Sequence, residues 1–432
     1  MSQFRIARIS LLLAALTAAP AVMNVAYAQS KPAAAPAAPE SADKVSPEFI
    51  KLANPADISP LLAAKNFPEV KKRLDAAAAL PNLNAYETFI LNRMRVALGS
   101  ASQDDAMATA ALEAVINSGR LTPPEQKQFI EALGNMYYNA KNYPKAVEWF
   151  NRYQKETGDT KLRPYVVRAY YLSNDFVTAK AEALKDLENK QKAGQTPAIE
   201  ELQILANTGS KSKDQATYLL ALENLVKYYP NDDYWVDLLS RTRGKDNYSN
   251  RFALDVYRLQ KVATTKMAPE EYQDMAELSL LAGQPIEAKQ VLDIGFGNGA
   301  LGTGNNAAKH KQLRAQADKQ AADDTKNIGS GEASARKSKN GTGLVNLGYA
   351  YVTLGQFDKG IALIQEGIAK GGLQNAEDAK LRLGYSYAMA GRKEDAIKTL
   401  ETVTGSDGRG DLARYWILWV NRPGNATAAP AQ

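Results

Sequence analysis

With 432 residues, no cysteine, 45% hydrophobic and 23% charged residues, the chain has the apolar content of a packed globular protein and can form neither a disulfide nor a cysteine-ligated metal site. Its formal net charge of +6 falls to +4 once Arg5 and Arg8 are set aside, too little over this length to mark a nucleic-acid surface unless concentrated on one face. Wholesale disorder and a cysteine-linked lipid anchor are excluded on the same grounds.

Residues 1–28 read as a cleavable secretory signal: Arg5 and Arg8 form a basic start, Ile9 to Ala19 an apolar stretch short for a bilayer, and Ala26-Tyr27-Ala28 a small-x-small cleavage site before Gln29. Residues 29–46 are rich in Ala, Pro and Ser and predict a disordered tether. Structure is expected from Ser46-Pro47-Glu48, where serine can cap a helix and proline takes its first position. Phe67, Val70 and Leu74 then predict a helix closed by Pro81, and Tyr86–Leu98 with Ala106–Ile116 a helix pair. Thr122-Pro123-Pro124-Glu125 is a capping-box signal opening a helix that carries Leu133-Gly134 and Tyr137, followed by Ala146 and Phe150. Gly134 and Ala146 are small where two helices would cross, while Ile130, Leu133, Tyr137, Val147 and Phe150 recur at three- and four-residue steps.

That pattern returns along the chain. Val166, Tyr170, Phe176 and Ala179 repeat it after 33 residues, and Asn189–Thr196 displaces the next copy, which resumes at Leu205-Ala206 and Leu222. Asp233–Arg241 with Arg251–Val262 predict one pair, and Met275-Ala276 with Ala288 and Leu292 another, ending at Gly295. Leu347-Gly348, Tyr351, Phe357 and Ile364 recur 36 residues later as Leu383-Gly384, Tyr387, Ala396 and Leu400. Between these, residues 305–343 read as an irregular repeat, helical through Asp323 and then broken by a flexible loop, Gly329 to Gly343. Asp411–Val420, bearing Trp416 and Trp419, predicts a helix that caps the end repeat, and residues 422–432 a disordered tail.

The L-G-x-x-Y…A…F spacing at Leu133–Phe150 and Leu347–Leu400 resembles the tetratricopeptide repeat (TPR), and the chain as a whole is similar to an exported bacterial TPR protein. The resemblance implies an all-α fold: a right-handed superhelix of about ten helix pairs, residues 47–304 and 344–421 flanking the irregular stretch, with a C-terminal capping helix. It implies a concave groove lined by first helices, and a non-enzymatic scaffold holding a protein or extended peptide, without cofactor or metal. Carried onto this sequence, the groove positions are Gln128, Glu131, Asn135, Tyr138, Asn139, Arg168, Tyr171, Asn346, Tyr349, Arg382 and Tyr385. Tyrosines among them offer large contact area at low entropic cost. Asn346 and Arg382 fit two places of a terminal-carboxylate clamp, but Gln273, Glu277 and Asp378 at the remaining places argue against one. The family and the signal together imply the periplasm, or secretion, and a partner in cell-envelope assembly or maintenance. No nucleic acid and no transmembrane segment after signal cleavage are expected.

Other chemistry is weaker. Gly297-x-Gly299-x-x-Gly302 follows a helix rather than a strand and predicts an inter-repeat loop instead of a dinucleotide site. Ser334-x-x-Lys337 and Ser210-x-x-Lys213 match a penicillin-binding nucleophile motif, but the chain has no K-T-G, and both serines are expected in polar loops. His310, the single histidine, is expected on a solvated helix face. An envelope hydrolase or its activator is one alternative, though no motif singles out a carboxylate pair. Polyanion or anionic-lipid binding through residues 309–339, with eight basic against four acidic residues, is the other.

Overall fold

The computed structural model describes residues 44–422. The expected signal peptide, nearly all of the tether and the C-terminal tail lie outside them. The described residues are helical, and they divide between Glu182 and Ala183 into two compact units, here unit 1 and unit 2.

Unit 1 contains α1 (Pro47–Ala53), α2 (Pro55–Ala63), α3 (Phe67–Ala78), α4 (Ala85–Ser102), α5 (Asp105–Asn117), α6 (Pro123–Asn139), α7 (Tyr143–Thr157) and α8 (Arg163–Leu172); the unit boundary falls inside α9 (Phe176–Lys192). Unit 2 continues with α10 (Ile199–Lys211), α11 (Gln215–Tyr228), α12 (Asp232–Arg243), α13 (Ala253–Ala263), α14 (Pro269–Leu281), α15 (Pro285–Gly297), α16 (Ala307–Lys337), α17 (Thr342–Thr353), α18 (Phe357–Lys370), α19 (Ala376–Met389), α20 (Lys393–Leu400) and α21 (Arg409–Val420).

Local signals set the starts. Ser46 caps α1, and the Thr122 amide donates to Glu125 at 3.0 Å ahead of Pro123 in α6. Glu87, at the third position of α4, closes the capping box with Asn84. It also accepts from the amide and hydroxyl of Ser46 at 2.8 and 2.6 Å, fixing the chain entry to the second helix pair.

A turn shared by the pairs identifies the repeat even where its sequence marks are faint. Lys65, Gln103, Lys141, Asn174, Lys213, Gly283, Gly355 and Gly391 all have positive φ, and each stands two residues before a second helix. The next residue donates its amide to the carbonyl five residues back, as Asn142 does to Tyr137 (2.9 Å), Asp175 to Tyr170 (3.0 Å), Gln356 to Tyr351 (2.9 Å) and Arg392 to Tyr387 (2.9 Å). The tyrosine of the sequence pattern is therefore also the residue whose carbonyl closes the turn. Lys213 to Gly283 and Gly283 to Gly355 are 70 and 72 residues apart, two repeat lengths each, so one slot in each interval lacks this turn. A 3₁₀ segment, Asn250–Phe252, joins α12 to α13 in the first slot, and the unbroken α16 fills the second.

Close helix crossings use the small residues. A Cβ on Gly134 would lie 2.6 Å from the Phe150 ring, and one on Gly348 would lie 2.5 Å from the Gly360 carbonyl oxygen. In unit 1, Ile130, Leu133, Ala146, Trp149, Phe150 and Tyr153 form one buried cluster.

Four expectations are corrected. Residues 329–337 are helical, because α16 runs 31 residues to Lys337 and only residues 338–341 remain as a connection. Ile328 and Ala335 anchor that half of α16 against Leu344, Leu347, Tyr351 and Leu363, while Arg336 pairs with Glu332 and Glu366. Gly295 lies inside α15, where a Cβ would meet Leu301 at 2.7 Å, rather than at its end. His310 is buried, its Nδ1 accepting the Gly302 amide at 3.2 Å across the glycine-rich loop. Ser334 and Ser210 sit in α16 and α10, not in loops.

Candidate partner-binding faces

In unit 1 the predicted residues lie on α6 and α8. Gln128, Asn139 and Arg168 are exposed, while Glu131, Asn135, Tyr138 and Tyr171 are half-buried. Tyr138 is the centre of an aromatic cluster, 5.6 Å from Tyr143, 6.2 Å from Phe150 and 5.8 Å from Tyr165, meeting the two tyrosines edge to face. Burial pushes the Tyr138 phenol up, and the nearby Arg168 charge works against that rise. Tyr165 remains 41% exposed, so the cluster has a solvent face. Its margin is charged: Lys161 pairs with Glu131 at 2.7 Å and lies over the Tyr153 ring, whose hydroxyl donates to Asp159 at 2.8 Å. The Lys161 amide, Tyr153 and Lys127 together hold the Asp159 carboxyl down at about 2. At the α8–α9 turn Tyr171 packs on Phe176 at 5.7 Å, and Leu172 and Val177 are 40% and 77% exposed.

The sequence reading missed Tyr165. Its signal was available: it stands one helical turn before Arg168, on a helix already assigned to the face.

In unit 2 the corresponding residues are enclosed. Tyr349 on α17 and Tyr385 on α19 are 1% and 8% exposed, which corrects their expected place in an open groove. Their rings lie 5.6 Å apart and tilted by 39°, and Tyr385 meets Trp416 of α21 at 5.1 Å, with Trp419 5.4 Å beyond. The Arg258 guanidinium, from α13, lies 4.5 Å from the Tyr349 ring centre and bonds both oxygens of Glu287, on α15, at 2.9 and 2.8 Å. Ser279 and Tyr349 each donate to the same carboxylate at 3.2 Å, and Asp255 takes the remaining guanidinium edge at 2.7 Å. Burial alone pushes the Glu287 carboxyl up, but the charge and hydrogen bonds of Arg258 outweigh it and hold it below the usual carboxylate range.

The last helix does more than cover the end repeat. Beyond packing on α19 and α20, α21 reaches back to α11–α13: Tyr415 shares a 2.9 Å hydrogen bond with Thr242, Trp419 donates to the Val262 carbonyl at 3.0 Å, and Asp411 and Arg414 pair with Lys245 and Glu223. The preceding loop follows, with the Ser249 amide donating to the Asp407 carbonyl at 2.9 Å. Leu412, Tyr415 and Trp416 are at most 1% exposed, so this helix fills the face that first helices would otherwise present. Asn346 and Arg382, the two clamp-like residues, bond each other at 2.8 Å, and Asp378 is held by Arg251 and Arg409. Of the eight basic residues in 309–339, three are paired: Lys309 with Glu277, Arg314 with Asp293, and Arg336 with Glu332 and Glu366. Among the described residues no helix is long and apolar enough to cross a membrane.

Stacked helix pairs joined by one recurrent turn place the chain among the all-α helical-repeat proteins. The family described as tetratricopeptide repeat matches residues 106–159 and 345–409, so these two stretches are similar to tetratricopeptide repeats. Among solved structures it is similar to the TPR2AB domain of yeast Sti1 in complex with pHSP90, at 14% identity over 68% of this chain and 99% of that one, with a TM-score of 0.24. It is also similar to a tetratricopeptide repeat protein from Parabacteroides merdae, at 13% identity over 63% of this chain and 99% of that one, with a TM-score of 0.25. No curated protein matches the sequence.

Proposed function

We propose that this protein is a non-enzymatic periplasmic scaffold in cell-envelope assembly or maintenance, and that it holds an extended segment of a partner protein against the aromatic face of unit 1. One contrast carries the reading: Tyr138, Tyr165 and Arg168 keep a solvent face, whereas Tyr349 is buried against Arg258 and Tyr385, and Tyr385 lies beneath Trp416 of the chain's own α21. Rigid tyrosines suit apolar side chains of a partner, and the exposed Arg168 suits a carboxylate beside them. The periplasmic part rests on residues 1–28 and predicts a mature N-terminus at Gln29.

The test is site-specific photocrosslinking from position 165 in envelope extracts. A discrete crosslinked protein is expected, weakened at least tenfold by Tyr138→Ala and by Arg168→Glu. Equal capture by both variants overturns the assigned face, and an uncleaved N-terminus found by mass spectrometry overturns the assigned compartment.

A further inference from the structure

The slot between Gly283 and Gly355 is where the array departs from its own rule. A regular pair there would turn near Lys319, midway between the two, yet α16 runs straight through. With no return helix, a groove of about 480 Å³ stays open between the α14–α15 turn, α16 and α17. This falls within the size range of small-ligand sites.

One wall of the groove is polar. Gln284, 8% exposed, lines it, and its carboxamide carries two donors and an acceptor. Asp324, half-buried on the same wall, has neither a cation nor a donor beside it, and burial pushes its carboxyl up. Asn327 and Ser334 add amide and hydroxyl groups from α16, and Asn346 adds an amide from α17, its oxygen taken by Arg382. Ile328, Leu347 and Ala350 give the groove an apolar floor. A lone carboxylate answers a cation, side-chain amides answer a peptide backbone, and the floor answers a methylene chain.

We propose that this groove is a second binding site, for a short extended peptide segment bearing a lysine, whose ammonium meets Asp324 and whose backbone meets Gln284, Asn327 and Asn346. The site is independent of the unit 1 face, so a Tyr138→Ala protein retains it.

The test titrates the full-length mature protein with acetyl-Ala-Lys-Ala-amide, its norleucine counterpart and spermidine, followed by amide chemical shifts and calorimetry. The lysine peptide is expected to shift the signals of Gln284, Asp324, Asn327 and Asn346 and to bind at least tenfold more tightly than the norleucine peptide. Asp324→Asn should remove that difference, because a partly desolvated charge-assisted hydrogen bond is worth a tenfold change or more. Gln284→Leu should weaken both peptides alike. Thermal melts within a degree of the parent show that these variants fold. Equal binding by Asp324→Asn, or shifts elsewhere only, overturns the site, and spermidine binding as tightly as the lysine peptide overturns the peptide class.

Discussion

Among single residues, Glu287 offers the sharpest test of what holds unit 2 together. Its carboxylate takes two of the three guanidinium nitrogens of Arg258, the Ser279 hydroxyl and the Tyr349 hydroxyl, all out of water. Removing one partner of such a pair leaves the other buried and uncompensated, at a cost of about 3–5 kcal/mol. Glu287→Gln is expected to lose that much in urea denaturation at neutral pH. The sign of the pH effect follows from the lowered carboxyl. Its stabilisation is complete above the unfolded value of 4.5 and is lost as pH falls through the lower folded value, so the parent loses stability in acid where the variant loses less. If the two fall in parallel between neutral pH and pH 3, Glu287 does not carry the ion pair. Nothing in the sequence marked this network, because Arg258, Glu287 and Tyr349 belong to three different slots and only the fold brings them together. Tyr138 and Arg168, by contrast, were readable, since helix phase alone sets which residues of α6 and α8 share a side.

At the level of the element, the glycines of the α16–α18 region divide by environment, and substitutions should follow with opposite signs. Gly348→Ala puts a methyl against the Gly360 carbonyl, where neither helix backbone can yield, and is expected to cost about 1–3 kcal/mol by overpacking. Gly329 sits inside α16, where an added methyl would meet nothing within 4 Å, so Gly329→Ala should stabilise by about 0.5–1 kcal/mol through backbone entropy and should slow amide exchange across residues 325–337. Faster exchange there in Gly329→Ala would show that the segment is not helical in solution. The same glycines explain where sequence reading fell short. Gly-Ser-Gly at 329–331 has the composition of a loop, and propensity favours one; packing of Ile328 and Ala335 on α17 and α18, with the Arg336 ion pairs, outweighs it. The pairs marked by Leu133-Gly134 and Leu347-Gly348 were legible because their close crossings demand a small residue. The turn residues were not, because Lys65, Gln103, Lys141, Asn174 and Lys213 hold the same left-handed place as Gly283 without being glycine.

Over the whole molecule, the two units differ in what ties their repeats together. Unit 1 is built from helices one or two places apart in the chain, so its stability should be close to a sum of repeat and interface terms and should fray from its ends. In unit 2, α21 joins α11–α13 to α19 and α20, residues 157 to 191 positions apart being linked by Trp419–Val262, Tyr415–Thr242 and Arg414–Glu223. Contacts of that separation cannot form or break repeat by repeat, and they make the unit cooperative in a way a linear array is not. Trp416 sits at the middle of this closure, 1% exposed against Tyr385. Trp416→Ala should cost about 3–5 kcal/mol. In hydrogen exchange the loss of protection should appear together in α12, α13, α17 and α19, while peptides from α4–α7 keep theirs. A loss confined to α20 and α21 would mean that the helix only covers the end repeat and that the face beneath it can open. Concerted loss would mean that a partner cannot gain that face without unfolding the unit, so that Tyr349 and Tyr385 stay closed to it, whereas Tyr138 and Tyr165, on α6 and α8, keep a side open to a partner.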